Sequence, residues 1–210
     1  MESSMPRTAA IFAVSAVTIG LATTAYFVLS AESGDRFAQC RGGVVSGGGG
    51  AIGGPFSLIS ETGERVTETD VIDGLSLVYF GYTYCPDVCP VDLFRNGEAV
   101  RALDEQGIEV KPVFITVDPE RDTVQQMAEY TDFMHPRMVG LTGPRADIEA
   151  AIAAYRVYSG RVGDDPQDYL MDHSSYSYLM DPNEGFLEFF PSSTPPEEMA
   201  ERIACYAAEL

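Results

Sequence analysis

The stretch "LSLVYFGYTYCPDVCPVDLFRNGEAVRALDEQG", residues 75–107, determines the predicted fold. Its first six residues are almost continuously apolar, as expected of a strand that is buried on both faces of a sheet. The following segment 90–107 carries apolar residues on one face of a predicted helix, at Leu93, Val100 and Leu103. A buried strand, a short connection and a helix in this order predict an open α/β sheet, which places its ligands at the carboxyl ends of its strands.

Strands and helices alternate through the rest of the sequence. Strands are predicted at 110–118, 138–143, 176–181 and 186–190, and helices at 123–134, 145–158 and 195–210. The last two strands flank the turn sequence "PNEG" and form a predicted hairpin. This order, with a late hairpin and a final helix, is typical of a thioredoxin-like α/β domain, whereas a flavodoxin-like sheet fits only the first half. The acidic run "GDDPQDYLMD" at 163–172 is predicted to be a mobile loop.

The N-terminal part of the chain differs in composition from the rest. Residues 8–31 contain no charged side chain, and as a helix they are long enough to cross a hydrocarbon core of about 30 Å. We predict a cytoplasmic N-terminus at 1–7, a single transmembrane anchor at 8–31, a glycine-rich tether at 32–54 and a globular domain at 55–210. Arg7 lies on the short side of the anchor, so the positive-inside rule places the domain in a non-cytoplasmic compartment.

The charge balance limits the partners of that domain. The chain carries 13 Lys and Arg against 32 Asp and Glu, which gives a net charge of −19. Nucleic acids and anionic lipid headgroups both require basic surfaces. We therefore predict no nucleic-acid partner, and contact with the membrane only through the N-terminal helix.

Two cysteines follow the first buried strand, with three residues between them. A proline follows each cysteine, and proline disfavours helical dihedral angles at the residue before it. Cys85 and Cys89 are therefore predicted on a rigid loop, with Pro90 opening the helix and Cys89 at its positive end. A helix N-terminus favours the thiolate form. Two thiolates form a soft, incomplete metal site, and soft sites select Cu(I).

A third ligand must come from elsewhere in the chain, which has two histidines. His173 immediately precedes the predicted strand 176–181, whose start faces the dithiol loop in a thioredoxin-like sheet. We predict His173 as the ligand. His135 follows an amphipathic helix beside a proline, and we assign it a structural or surface role.

Three aspartates lie near the predicted site, and each has two interpretations. Asp87, between the cysteines, either orients the loop or is a solvated residue. Asp118 and Asp122 lie at the end of the strand predicted at 110–118. In one interpretation they hydrogen-bond to the metal ligands or form part of a docking surface for a partner. In the other they are turn and helix-capping residues.

Five blocks of the sequence occur in the order seen in a known family: "GGPFSL", "FGYTYCPDVCPVDL", "FITVDPERDT", "HPRMVGLTG" and "DHSSYSYLMDP". In these blocks the chain resembles the Sco/SenC family of copper-binding assembly proteins, from about Gly53 to Tyr206. The resemblance implies a membrane-anchored thioredoxin-like domain that binds one copper ion, as Cu(I) or Cu(II). It implies Cys85, Cys89 and His173 as the ligands.

The same resemblance implies a biological role. The family matures the dinuclear copper (CuA) site of cytochrome c oxidase subunit II by copper delivery, by reduction of that site's thiols, or by both. The expected partners are that subunit and a copper donor protein. The expected location is the inner membrane, with a single span and the globular domain in the periplasm.

A thiol-disulfide oxidoreductase of thioredoxin type is the alternative, and Cys85 and Cys89 would be its redox pair. Thioredoxins use two intervening residues and a cis-proline opposite the dithiol, whereas this chain has three intervening residues and no proline between Pro166 and Pro182. We therefore expect mainly a metallochaperone, with oxidoreductase activity as a second role.

The remaining cysteines are Cys40 in the tether and Cys205 in the last predicted helix. Leftover cysteines tend to pair in an oxidising compartment, so we predict a bridge between them that pins the tether to the domain. The alternative is a buried thiol at Cys205 and a free thiol at Cys40.

Overall fold

The computed structural model describes residues 35–42, 52–165 and 168–210. The chain divides into two compact units, residues 1–39 and residues 40–210, and every helix and strand of the described residues lies in the second unit. The predicted segments at 1–7 and 8–31 lie outside the described residues. Within the described ranges, no helix combines the length and the apolar character that a membrane span requires.

The described part of the second unit contains nine strands and five helices. The strands are β1 Ser57–Ser60, β2 Arg65–Thr67, β3 Ser76–Gly81, β4 Lys111–Thr116, β5 Val139–Thr142, β6 Ser159–Val162, β7 Leu170–His173, β8 Tyr176–Asp181 and β9 Gly185–Pro191. The helices are α1 Glu68–Val71, α2 Val88–Asp104, α3 Val124–Met134, α4 Arg145–Ala154 and α5 Pro196–Glu209.

Seven of the strands form one mixed sheet in the order β2-β1-β5-β4-β3-β8-β9. The central strands β3, β4 and β5 are parallel, whereas β8 pairs antiparallel with both β3 and β9. The predicted thioredoxin-like α/β domain is confirmed, including the late hairpin β8–β9 and the final helix α5. Strands β6 and β7 pair only with each other, in a separate two-stranded sheet.

Strand β3 lies between two neighbours in the main sheet and leads to the dithiol. All six of its residues are buried, which explains why its sequence is almost continuously apolar. Helix α2 packs on the sheet with Leu93, Val100 and Leu103, each at most 1% exposed. The direction of β3 and the packed face of α2 therefore fix the positions of both ends of the connecting loop, and with them the positions of Cys85 in the loop and Cys89 at the start of α2.

The start of α2 differs from the prediction. The helix begins at Val88 with Asp87 as its N-cap, so Cys89 lies in the first helical turn and Pro90 does not open the helix. The first N–H groups of a helix have no intrahelical acceptor, so a proline in the first turn removes no hydrogen bond. Only Cys85 lies on the loop.

The prediction of a mobile loop at 163–172 is wrong for the last three residues of that segment. Its last residues belong to β7, which pairs with β6 in a register that sets Ser159 opposite His173. Strands this short, outside the main sheet and without regular alternation, give no clear period in the sequence. The elements β1, β2 and α1 escaped prediction because they have only four, three and four residues, too few to show a period.

A disulfide joins Cys40 to Cys205, with Cα atoms 5.5 Å apart, so the predicted bridge is confirmed. The N–H of Gly42 donates a hydrogen bond to Glu188 Oε2 at 3.2 Å, and the buried Glu188 carboxylate pairs with Arg202 at 2.5 Å. A Cβ at residue 42 would collide with the Arg202 guanidinium. We refer to the disulfide and these contacts as the Cys40 clasp.

Candidate metal centre

Three side chains from different parts of the fold converge beyond the carboxyl end of β3. Cys85 lies in the loop after this strand, Cys89 lies in the first turn of α2, and His173 is the last residue of β7. Their potential ligand atoms all lie within 4.8 Å of one another, and no other such group of His, Cys, Asp and Glu occurs in the described residues. The three residues predicted as ligands are therefore brought together.

The His173 ring presents a nitrogen to the dithiol. Its Nε2 lies 3.2 Å from Cys89 Sγ, and its Nδ1 lies 3.1 Å from the carbonyl oxygen of Ser174. A carbonyl oxygen only accepts hydrogen bonds, so the neutral ring carries its hydrogen on Nδ1. The Nε2 lone pair is then directed toward the thiols, which is the tautomer that a metal ligand requires.

Two buried tyrosines fix the plane of this ring. Tyr79 and Tyr82 both meet His173 edge-on, with ring centroids 6.1 Å and 6.0 Å away, and both are at most 2% exposed. Edge-to-face packing of this kind stabilises one ring orientation. The imidazole is therefore held by perpendicular packing against two tyrosine rings and by a hydrogen bond at Nδ1.

The two thiols differ in accessibility and in acidity. Cys85 is half-buried and Cys89 is fully buried. The pKa of Cys85 is lowered, first by the hydrogen bond that the Cys89 thiol donates and also by main-chain N–H groups, against the opposing effect of burial. The pKa of Cys89 is raised by that same hydrogen bond and by burial. The pair therefore holds its first negative charge on Cys85 and keeps its remaining proton on Cys89.

This asymmetry predicts selective alkylation of the protein without metal. An ordinary thiol with a pKa of about 8.5 is protonated and unreactive at pH 6. The lowered pKa of Cys85 makes it the thiolate at this pH, whereas Cys89 keeps its proton. Iodoacetamide is therefore expected to modify Cys85 and to leave Cys89 almost untouched. Peptide mass spectrometry after a short exposure gives the two extents separately. In urea the two cysteines should react alike, which serves as the control. Equal labelling of the folded protein, or labelling of Cys89 first, would contradict the assigned charge.

The donor set fits a soft metal ion. Metal–sulfur bonds of about 2.3 Å and metal–nitrogen bonds of about 2.0 Å, the values for zinc, keep the donors of one site within about 4 Å of one another. A cluster within 4.8 Å needs only small side-chain rotations to reach that spacing. Two sulfurs and one imidazole are ligands that suit copper, whereas a structural zinc site requires four closed ligands.

The aspartates predicted near the site lie outside this cluster. Asp87 is exposed and its side chain makes no capping hydrogen bond to α2, which favours the solvated interpretation. Asp118 and Asp122 are fully buried. Neither caps α3, because its N-cap is Thr123, whose side chain accepts a hydrogen bond from Gln126 N.

His135 also lies outside the cluster. It is 4% exposed, and its Nδ1 accepts a hydrogen bond from the main-chain N–H of Arg137 at 3.2 Å. Burial lowers the pKa of its ring. These contacts agree with the structural role assigned to it.

Sequence reasoning missed three residues that contact the surroundings of the site. Thr83, Arg121 and Tyr169 bind the buried aspartates through side-chain contacts. Thr83 lies two residues before Cys85, and Arg121 lies between the two aspartates in "DPERD". This proximity was the available signal, but Tyr169 lies in a segment predicted to be a loop and gave none.

The fold and the site together define a thioredoxin-like domain with a soft dithiol–imidazole centre. A sequence model of the SCO1/SenC family matches residues 45–208. Protein SenC of Rhodobacter capsulatus is 50% identical over 205 residues, which are 97% of this chain and 92% of that protein. The chain belongs to the SCO1/SenC family.

Solved structures of relatives share the fold. The crystal structure of Arabidopsis thaliana ScoI with copper bound has a TM-score of 0.73 and 42% identity, and the match covers 76% of this chain and all of that one. The crystal structure of yeast Sco1 with copper bound has a TM-score of 0.72 and 36% identity, over 76% of this chain and 90% of that one.

Proposed function

We propose that this protein is a copper chaperone that binds one copper ion through Cys85, Cys89 and His173. The observation that carries the proposal is the convergence of two sulfurs and one imidazole nitrogen within 4.8 Å. Soft thiolates select Cu(I), and an added imidazole suits Cu(II). Two relatives that share the fold have been solved with copper bound, which supports copper as the metal.

The copper is a cargo, and we propose that its destination is the dinuclear CuA site of cytochrome c oxidase subunit II. Cys85 is half-buried, whereas Cys89 is fully buried, so an incoming thiolate would meet the ion on the Cys85 side. Exchange of one ligand at a time would keep the copper coordinated throughout transfer. A copper donor protein would load the same side.

The location completes the proposal. Residues 8–31 would anchor the chain in the inner membrane, and the domain would face the periplasm. The Cys40–Cys205 disulfide supports this side of the membrane, because disulfides persist in oxidising compartments and are rare in the cytosol.

Thiol-disulfide exchange is the second candidate function, and the charge asymmetry of the dithiol favours it. The Cys85 thiolate would attack a target disulfide and form a mixed disulfide, with one target sulfur leaving as a thiolate. Cys89 would then lose its proton and attack Cys85 Sγ, which releases the second target sulfur. Two electrons pass to the target, and Cys85 and Cys89 end as a disulfide. The described residues contain no cis peptide bond, so the cis-proline of thioredoxins has no counterpart among them.

A transfer experiment tests the first function against the second. The full chain in mild detergent is expected to bind about one equivalent of copper, whether the metal is supplied as Cu(I) or as Cu(II). The copper-loaded form is mixed with the reduced apo copper domain of subunit II, and the copper-free dithiol form with the disulfide form of that domain. Metal and free thiols of this chain are followed separately. Movement of copper with an unchanged thiol count supports chaperoning, whereas thiol loss from Cys85 and Cys89 without metal movement supports the oxidoreductase. A chain that binds no copper would refute the proposed function.

A further inference from the structure

A single turn between β4 and α3 contacts both halves of the candidate metal centre. We define it as the 118–122 turn, with sequence "DPERD". The N–H groups of Arg121 and Asp122 donate to the carbonyl oxygen of Asp118 at 3.2 Å and 3.0 Å, which makes the turn compact. Its two aspartates are fully buried, so their contacts are shielded from water.

On the cysteine side, Asp122 holds the loop that leads to the dithiol. Its carboxylate accepts hydrogen bonds from the N–H of Thr83 at 3.1 Å and from the Thr83 hydroxyl at 2.6 Å. It also accepts one from the Thr116 hydroxyl at 2.5 Å. Thr83 lies two residues before Cys85. A buried carboxylate with several donors therefore fixes the loop just ahead of the half-buried Cys85 thiol.

On the histidine side, Arg121 and Asp118 hold the entry to β7. The Arg121 side chain pairs with Asp118 Oδ2 at 2.5 Å and donates to the carbonyl oxygen of Tyr169 at 2.9 Å. Its guanidinium carbon lies 3.6 Å from the centre of the Tyr169 ring. The Tyr169 hydroxyl donates to Asp118 Oδ1 at 2.8 Å. Tyr169 immediately precedes the strand that ends at His173.

The contacts of Arg121 and Asp118 with Tyr169 are important because the β6–β7 hairpin is not part of the main sheet. A two-stranded hairpin alone is marginally stable in water, so the position of His173 depends on the contacts between this region and the rest of the domain. These contacts include the core packing of Tyr169 and Met171 and the contacts of Arg121. The guanidinium of Arg121 also lies 5.0 Å from the Tyr84 ring centre and 5.7 Å from that of Tyr82. Arg121 is thus in contact with the cysteine loop and the hairpin at once.

We propose that the 118–122 turn is a positioning device that sets the distance between the dithiol and His173. Arg121 acts through Tyr169 on the hairpin, and Asp122 acts through Thr83 on the cysteine loop. The inference rests on the proposed function, since it treats Cys85, Cys89 and His173 as ligands of one ion. No residue of the turn belongs to the group of potential ligands.

Arg121→Gln in the full chain tests the histidine side of the device. Loss of a partner that orients a ligand typically costs about 10–100-fold in metal affinity, and we expect a loss of that size for Cu(II), with a weaker nitrogen coupling in the electron paramagnetic resonance spectrum. Cu(I), which the two thiolates hold, should lose clearly less. Arg121→Lys should recover part of the Cu(II) affinity, because it keeps the charge but not the guanidinium fork.

The controls separate positioning from general destabilisation. Arg137→Gln removes a surface arginine that pairs with Asp104, and it should leave both affinities unchanged. Tyr169→Phe removes only the hydroxyl that binds Asp118, so it should fold normally and reproduce a smaller Cu(II) loss. Equal loss of Cu(I) and Cu(II) in Arg121→Gln, or no loss of either, would overturn the inference.

A measurement without copper keeps the inference separate from the proposed function. Diethyl pyrocarbonate modifies accessible imidazoles, and the chain has two histidines. Release of the hairpin in Arg121→Gln should increase the modification rate of His173 relative to His135, which is buried and serves as an internal reference. An unchanged rate ratio would refute positioning, whereas absence of copper binding by the unmodified chain would refute the proposed function alone.

Discussion

Replacement of both Cys85 and Cys89 by serine is expected to abolish tight Cu(I) binding by this protein. Serine hydroxyls are neutral and hard at pH 7, so they cannot replace two soft thiolates as ligands. The loss should exceed the roughly 10–100-fold that removal of a partner outside the ligand set typically costs. Competition of the full chain with a chromophoric Cu(I) chelator measures the change.

The matched substitution His173→Ala should affect the two oxidation states differently. It leaves both thiolates in place, so Cu(I) affinity should fall less than in the double serine variant, whereas Cu(II) should lose its nitrogen ligand and its characteristic spectrum. His135→Gln is the histidine control and should retain both. If the double serine variant binds Cu(I) as tightly as the unmodified chain, the assignment of the dithiol is wrong. If His173→Ala binds Cu(II) unchanged, the third ligand is another residue.

Removal of the disulfide in the Cys40 clasp is expected to cause the largest change in stability. Cys40 and Cys205 are 165 residues apart in the sequence, and chain-entropy arguments assign a cross-link over a loop of that length about 5 kcal/mol, although observed values are often nearer 2–4 kcal/mol. The variant with alanine at both positions should therefore unfold at clearly lower urea concentration under non-reducing conditions.

The same experiment in reductant supplies the control. Both proteins then have no disulfide, and the variant retains Cys85 and Cys89, so the two unfolding curves should nearly coincide. A variant that matches the unmodified protein without reductant would show that the bridge does not stabilise the folded domain. A difference that persists in reductant would trace to packing at the two alanines and not to the covalent link.

Local patterns in the sequence predicted the strand β3, the helix α2 and the dithiol where the strand leads into the helix. The apolar run of β3 follows from its burial on both faces, and the order of later elements was enough to place His173 opposite the cysteines. The start of α2 was misplaced by two residues, because Pro90 removes no hydrogen bond in a first turn. Periodicity therefore located the elements better than it located their ends.

The support of the site could not be predicted in the same way. The contact between Arg121 and Tyr169 joins residues that are 48 positions apart in the sequence, and the contact between Thr83 and Asp122 joins residues that are 39 positions apart. Such contacts depend on which loops meet at one edge of the sheet, and the local hydrophobic periodicity of the sequence carries no information about them. The β6–β7 hairpin escaped prediction because its strands have four residues each and lie outside the main sheet. The aspartates were noticed, but their partners were not.

The Cys40 clasp also decides where a mechanical load enters the domain. With the bridge intact, any pull from the chain before Cys40 reaches Cys205 on α5 and bypasses β1, the first strand in the sequence. Helix α5 packs against α2, whose first turn carries Cys89. Reduction of one bond would redirect that pull to β1, a four-residue strand that pairs with the edge strand β2 on one side and with β5 on the other.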